Sequence, residues 1–123
     1  MAEPTGKVVH YTQVPAQVFG GEAPGVTIRW VIDEENDGAP NYALRLVEVE
    51  PDGHTPNHAH PFEHENFVVE GKGRVLIGDH WHDVGPGDVI FVPPDIQHTY
   101  VNAGQSPFKF LCGIPASRLM PQR

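Results

Sequence analysis

Apolar residues in this chain come in short runs with the period or the length of β-strands. Residues 26–32 alternate well enough for a half-buried strand, and residues 42–50 form the clearest long one. In the latter, Arg45, Val47 and Val49 share one face while Leu44, Leu46 and Glu48 share the other. Neither face is uniformly polar, so both are expected to be covered, one by the barrel interior and one by a second sheet or subunit. Further strands are expected at residues 64–69, 73–77, 81–84, 88–92, 98–101 and 108–114, with a short edge strand at 7–11. Gly71-Lys72-Gly73, Gly78-Asp79, Gly85-Pro86-Gly87, Pro93-Pro94-Asp95 and Ala103-Gly104-Gln105 punctuate them at turns. Residues 19–25 read as a loop rich in Gly and Pro, and residues 33–40 as an acidic, solvated loop. Apart from a possible terminal turn at 117–123, nothing has the length and period of a stable helix. Short strands at regular spacing predict a closed antiparallel barrel or jelly roll, an all-β fold.

Composition agrees. Thirteen Gly and thirteen Pro in 123 residues would suit disorder if hydrophobic residues were sparse, but these make up 39% of the chain. The length allows one domain with one core, read as residues 1–123: an N-terminal strand and loop at 1–25, a barrel at about 26–115 and a tail at 116–123. The net charge is −8, and the eight Lys and Arg are scattered singly, so a nucleic-acid partner is not expected. No apolar stretch approaches the roughly 20 residues that cross a bilayer, so no membrane partner is expected. Residues 1–11 hold no secretory h-region and Cys112 is the one cysteine, which together point to the cytoplasm.

The chemistry lies in the histidines, eight in all. In extended backbone His58 and His60, two apart, present their side chains to one face. His64 follows beyond Pro61, where the chain can bend, and His98 lies far along, after Pro93-Pro94-Asp95. Two close ligands, a third after a bend and a fourth on a neighbouring strand suit one divalent ion inside a barrel, and imidazole alone does not choose the metal. The competing reading is a chance gathering of surface histidines. Glu63 and Glu65 bracket His64 and would replace it if the strand slipped by one residue. His54 reads as a loop residue, and His80 and His82 as exposed positions on a hairpin.

Residues 53–71 resemble the first motif of the cupin family: a Gly, then HxH (His58, Ala59, His60), then a ligand after three residues, then Gly71. That third ligand is Glu in most cupins and is His64 here. Residues 87–102 resemble the second motif through Gly87, Pro93, His98 and Asn102, with Asp95 where a Gly is usual. The resemblance implies a double-stranded β-helix, the jelly-roll cupin barrel. Asp37-Gly38-Ala39-Pro40-Asn41, residues 60–65 and Phe110-Leu111-Cys112 are similar to a subgroup of small bacterial cupins with an all-histidine manganese site. Those proteins are dimeric and include members that cleave alkenes oxidatively with peroxide. The resemblance therefore implies one metal per chain, manganese first, with iron, copper, nickel or zinc as alternatives.

Four neutral imidazoles leave the charge of a divalent ion uncompensated, which favours anionic or enolate-forming ligands. Strand phase turns Tyr100 inward with His98 and puts Cys112 on the barrel face of the last strand, so both are candidate catalytic residues beside the ion. Arg45 is the third, as an anion clamp in the pocket or as a partner for an acid at a dimer seam. Leu44, Leu46, Phe67 and Val69 on outer faces suit a homodimer. Three functions follow: a metal-dependent oxygenase or peroxide-using oxidoreductase acting on a small molecule, put first; a Lewis-acid isomerase or lyase; and a non-catalytic binder of a small molecule. No nucleophile elbow or phosphate-binding loop is present.

Overall fold

The computed structural model describes residues 5–120. Two antiparallel sheets face each other as a jelly roll. The larger runs in the order β1 (Gln17–Gly20), β2 (Ala23–Ile32), β3 (Tyr42–Val49), β9 (Phe108–Pro115), β4 (His64–Glu70), β7 (Val89–Val92). The smaller runs β6 (His80–Val84), β5 (Gly73–Ile77), β8 (His98–Asn102). Every predicted strand from residue 26 onward is present, to within one residue at each end except the first, which begins three residues earlier at Ala23.

The register explains the core. Across the larger sheet, Val49 pairs with Phe108, Val47 with Phe110 and Arg45 with Cys112; Phe110 in turn pairs with Val68, and Cys112 with Asn66. These rows of inward side chains meet Val75 and Tyr100 of the smaller sheet in one apolar cluster. Phe108 and Phe110 are almost wholly buried, and each contributes about 1.5–3 kcal/mol by leaving water. Gly73 is required there: a Cβ on it would lie 2.3 Å from the Phe108 ring. The polar Arg45, His64, Asn66 and His98 stand on the same inward rows, toward one end of the barrel.

The segment between β3 and β4 belongs to no regular strand. It is tacked to β8 by two isolated bridges, His54 with Val101 and His58 with His98. Gln97 holds the Asn57 carbonyl and side chain, and Thr55 and Thr99 hold one another.

The N-terminal third departs from the expectation. Residues 7–11 form no strand; Tyr11–Gln13 is a 3-10 turn capped by His10, whose ring accepts from the Thr12 N–H while Gln13 reaches back to the His10 N–H. Local capping by the His10 side chain takes the place of strand pairing here, and Lys7 pairs with Asp37. Residues 19–25, expected as a loop, are largely strand: β1 and β2 form a hairpin around Gly20 and Gly21, both with positive φ. Within residues 33–40, Glu34–Asp37 is a single helical turn (α1), capped by the Asp33 carboxylate and ended by Gly38 in the left-handed region. At the other end Ser117–Leu119 is a 3-10 turn, and the rest of that predicted turn, 121–123, lies outside the described residues, as do 1–4. Among the described residues no helix is long and apolar enough to cross a membrane.

Candidate metal centre

His58 and His60 come from the bridged segment, His64 from the first position of β4 and His98 from the first position of β8. The fold brings all four rings together. His58 lies with its ring centre 5.0 Å from those of His60 and His98; His64 lies 4.7 Å from His60 and 5.0 Å from His98. Ligand atoms of His58, His60 and His98 lie within 4.8 Å of one another, a spacing that could hold a metal ion. His64 joins them by its Nε2, 3.0 Å from Nε2 of His60.

Hydrogen bonds fix which nitrogen faces inward. His60 Nδ1 lies 2.8 Å from the Phe62 carbonyl and His98 Nδ1 lies 2.8 Å from the Ile96 carbonyl. A carbonyl only accepts, so both rings carry their proton on Nδ1 and leave a lone pair on Nε2. His98 Nε2 is buried and has no partner at all. Such an orphaned acceptor is costly in an apolar interior unless something binds it. His60 and His98 thus have the arrangement of metal-ligating histidines, an outer N–H donated to backbone and an inner lone pair free. The donor set fits a divalent ion.

His64 is built differently. Its Nδ1 lies 3.1 Å from Cys112 Sγ, and Arg45 Nη2 donates to the same sulfur at 3.1 Å. A thiol can give its proton to Nδ1, which lets His64 Nε2–H donate to His60. It can also accept from Nδ1–H, which frees Nε2 as a lone pair for an ion. Burial drives the His64 pKa down to about 2, with the Arg45 charge and the other imidazoles adding to it. Burial also lowers the pKa of His58, His60 and His98, so the rings are neutral and ready as ligands near pH 7.

These side chains line a cavity of about 210 Å³ whose remaining wall is largely apolar: Phe19, Val26, Ile28, Val47, Phe62 and Phe110 among others. Arg45, Tyr100 and Cys112 all reach it, while among the described residues no Asp or Glu lines it. Tyr100 stacks on Phe110, and its hydroxyl donates to the Asn66 side chain, whose amide is held by the Leu111 carbonyl. Its proton is therefore committed, and burial raises its pKa well above the usual value. Toward the cavity the phenol is a wall and, at most, an acceptor. A larger cavity of about 660 Å³, between α1 and the end of β9, touches none of the histidines.

Asn66 is the one residue around the site that strand phase placed but the sequence reading passed over. Its position two residues after His64 put it on the inward face. Glu65 points to the outer face opposite Phe91, so β4 has not slipped and His64 keeps the inward position. His54, His80 and His82 are exposed and stand apart from the cluster.

Comparison with known proteins agrees with this geometry. The family model described as "Cupin domain" matches residues 45–114. A structure of the polyketide cyclase RemF from Streptomyces resistomycificus is 36% identical, covering 96% of this chain and 83% of that one with a TM-score of 0.85. A cupin 2 domain-containing protein from Halorhodospira halophila is 30% identical over 80% of this chain and 70% of that one, TM-score 0.73. Glucose-6-phosphate isomerase of Pyrococcus furiosus is 36% identical over 98 residues, 70% of this chain and 52% of that protein. The chain spans about half the length, or less, of the curated relatives it matches. With the jelly roll, the inward histidines and a matching family model together, this chain belongs to the cupin family.

Proposed function

We propose that the chain binds one divalent metal ion through His58, His60, His64 and His98 and acts with it on a small, enolisable organic molecule, as an isomerase, lyase or cyclase does. One observation carries this reading: every candidate ligand is a neutral imidazole, Arg45 adds a positive charge beside them, and no carboxylate lines the cavity. An ion held there keeps its full charge, which suits polarising a carbonyl oxygen and disfavours a more highly charged, oxidised metal. The chain's own residues would place the substrate against the apolar wall, exclude water with Phe19 and Phe62, and leave Cys112 as the proton-carrying side chain nearest the ligands. That two similar proteins are a cyclase and an isomerase supports the same class. Manganese is the metal we propose, for its octahedral preference with positions left open, ahead of iron, copper, nickel and zinc.

The oxidoreductase reading, with dioxygen or peroxide as oxidant, draws on the other side of the same observation. The cavity holds no Asp or Glu to serve as general base, and oxidation of an apolar substrate needs none. One series of measurements separates the two. Tag-free protein, purified without chelator or nickel resin, should carry about one metal per chain, lost in His58→Ala and His64→Ala with the fold retained by circular dichroism. Unchanged metal in His64→Ala overturns the ligand set. Loaded protein incubated without oxygen in D₂O with a panel of 2-oxo acids should exchange the proton next to the carbonyl, read by NMR. Substrate-dependent consumption of dioxygen or peroxide, without such exchange, would give the oxidoreductase reading. Binding with neither would leave a non-catalytic binder.

A further inference from the structure

Arg45 is a cation without a counter-ion. Its guanidinium has five N–H donors, and one of them has a partner, the weak acceptor Cys112 Sγ, at 3.1 Å. Its Nε is buried and unpaired. Among the described residues no Asp or Glu forms a salt bridge with it. Trp30, its cross-strand neighbour, packs against the guanidinium with the charge 5.4 Å from the ring centre. A cation–π contact orients the group but neutralises nothing. In a chain of net charge −8, a cation that forms no salt bridge with any described acidic residue is a conspicuous exclusion. The place of that exclusion is the wall of the histidine cavity.

We infer that Arg45 forms the anion-binding end of this cavity, and that the natural ligand is a small carboxylate with an apolar body of about one ring. The carboxylate follows from the fork of the guanidinium, which matches two planar oxygens. The apolar body follows from Val26, Ile28, Val47, Phe62 and Phe110, which line the same cavity. The size follows from the volume, about 210 Å³, which is below the roughly 300–1,000 Å³ of pockets for drug-sized ligands. Arg45 also fixes direction: with its carboxylate at the guanidinium, the ligand's next atoms lie toward the histidines. The alternative role for Arg45, pairing with an acid across a dimer seam, is excluded by its inward position on β3. The inference deepens the function proposed above and rests on it for the ion at the histidines of the same cavity.

The test is calorimetric titration of the full chain with benzoate and with benzamide, its neutral isostere, on metal-free and on manganese-loaded protein. Metal-free wild type should bind benzoate at least 10-fold more tightly than benzamide. Arg45→Gln should lose that preference by weakening benzoate at least 10-fold, with benzamide binding and manganese content unchanged, and Arg45→Lys should keep part of it. Equal binding of the two probes to metal-free wild type, or undiminished benzoate binding in Arg45→Gln, overturns the inference. A protein that takes up no manganese but shows the Arg45-dependent preference would sink the proposed function and leave the anion site standing. Should Arg45→Gln fail to fold, the wild-type preference and the Arg45→Lys variant decide.

Discussion

Cys112 touches both the Arg45 guanidinium and His64, the histidine whose outer nitrogen faces a sulfur rather than a backbone carbonyl. His60 and His98 have their inner lone pairs guaranteed by carbonyls; His64 depends on a sulfur. Cys112→Ala should therefore lower metal affinity by about 10–100-fold, as loss of such a supporting hydrogen bond does, while Cys112→Ser retains more of it. Competition with a coloured chelator measures both. The effect should be confined to affinity, since the small buried side chain leaves little void. Asp95 makes a second residue-scale case. It holds φ at 65°, in the left-handed region, where most cupins have the Gly that pays no steric cost. Its N–H donates to the His60 carbonyl at 2.7 Å, so the strained turn positions a ligand. Asp95→Gly keeps that N–H and relieves the left-handed strain but removes the carboxylate's own interactions, so a melting curve at fixed metal load should move by no more than ~1 kcal/mol in either direction.

At the scale of the elements, Gly73 on β5 gives way to the Phe108 ring, and Gly73→Ala should cost about 1–3 kcal/mol through overpacking, measurable by urea denaturation. On the outer face of β4, burial and a hydrogen bond to Glu63 raise the Glu65 pKa to about 7. A carboxyl whose folded pKa exceeds its unfolded one stabilises the fold while protonated, and that stability is lost as pH rises from about 4.5 toward 7. Glu65→Gln should flatten this loss, by about 1 kcal/mol or less because the pair is solvent-exposed; urea midpoints at pH 5 and pH 8 would show it. Strands β3 to β9 were legible because their faces alternate and their turns carry Gly, Pro and Asp. The inward histidines of β4 and β8 were legible for the same reason: strand phase alone aims His64 and His98 at the interior. The first 25 residues were not, because a capping histidine and a Gly-Gly hairpin act locally without a hydrophobic period. Nor did spacing reveal the meeting of Arg45 with Cys112, which depends on β3 and β9 pairing across 67 positions of sequence.

At the scale of the whole molecule, one sheet face is left partly bare. Phe67, Val89 and Phe91 are 47%, 76% and 55% exposed on adjoining positions of β4 and β7, with Val69 beside them. Leu46, expected on the same outer surface, is only 3% exposed within the single chain. The Tyr11 turn is strapped over that region by Arg29 and Lys109. The homodimer we propose therefore centres on β4 and β7 rather than on β3. Phe91→Glu should shift the mass in solution from dimer to monomer at micromolar concentration, by light scattering, and a monomeric wild type would refute the pairing. The two isolated bridges that hold the β3–β4 segment have a consequence for how the site is assembled. His64 and His98 ride on ladders that fold with the barrel, whereas His58 and His60 ride on a strip held outside the regular ladders by isolated bridges and side-chain hydrogen bonds. Half of the proposed coordination sphere is thus a fixed seat and half a clasp. Stripping the metal should quicken amide exchange across residues 54–60 and leave the strands as slow as before, so the ion, on arrival, closes the door it came in by.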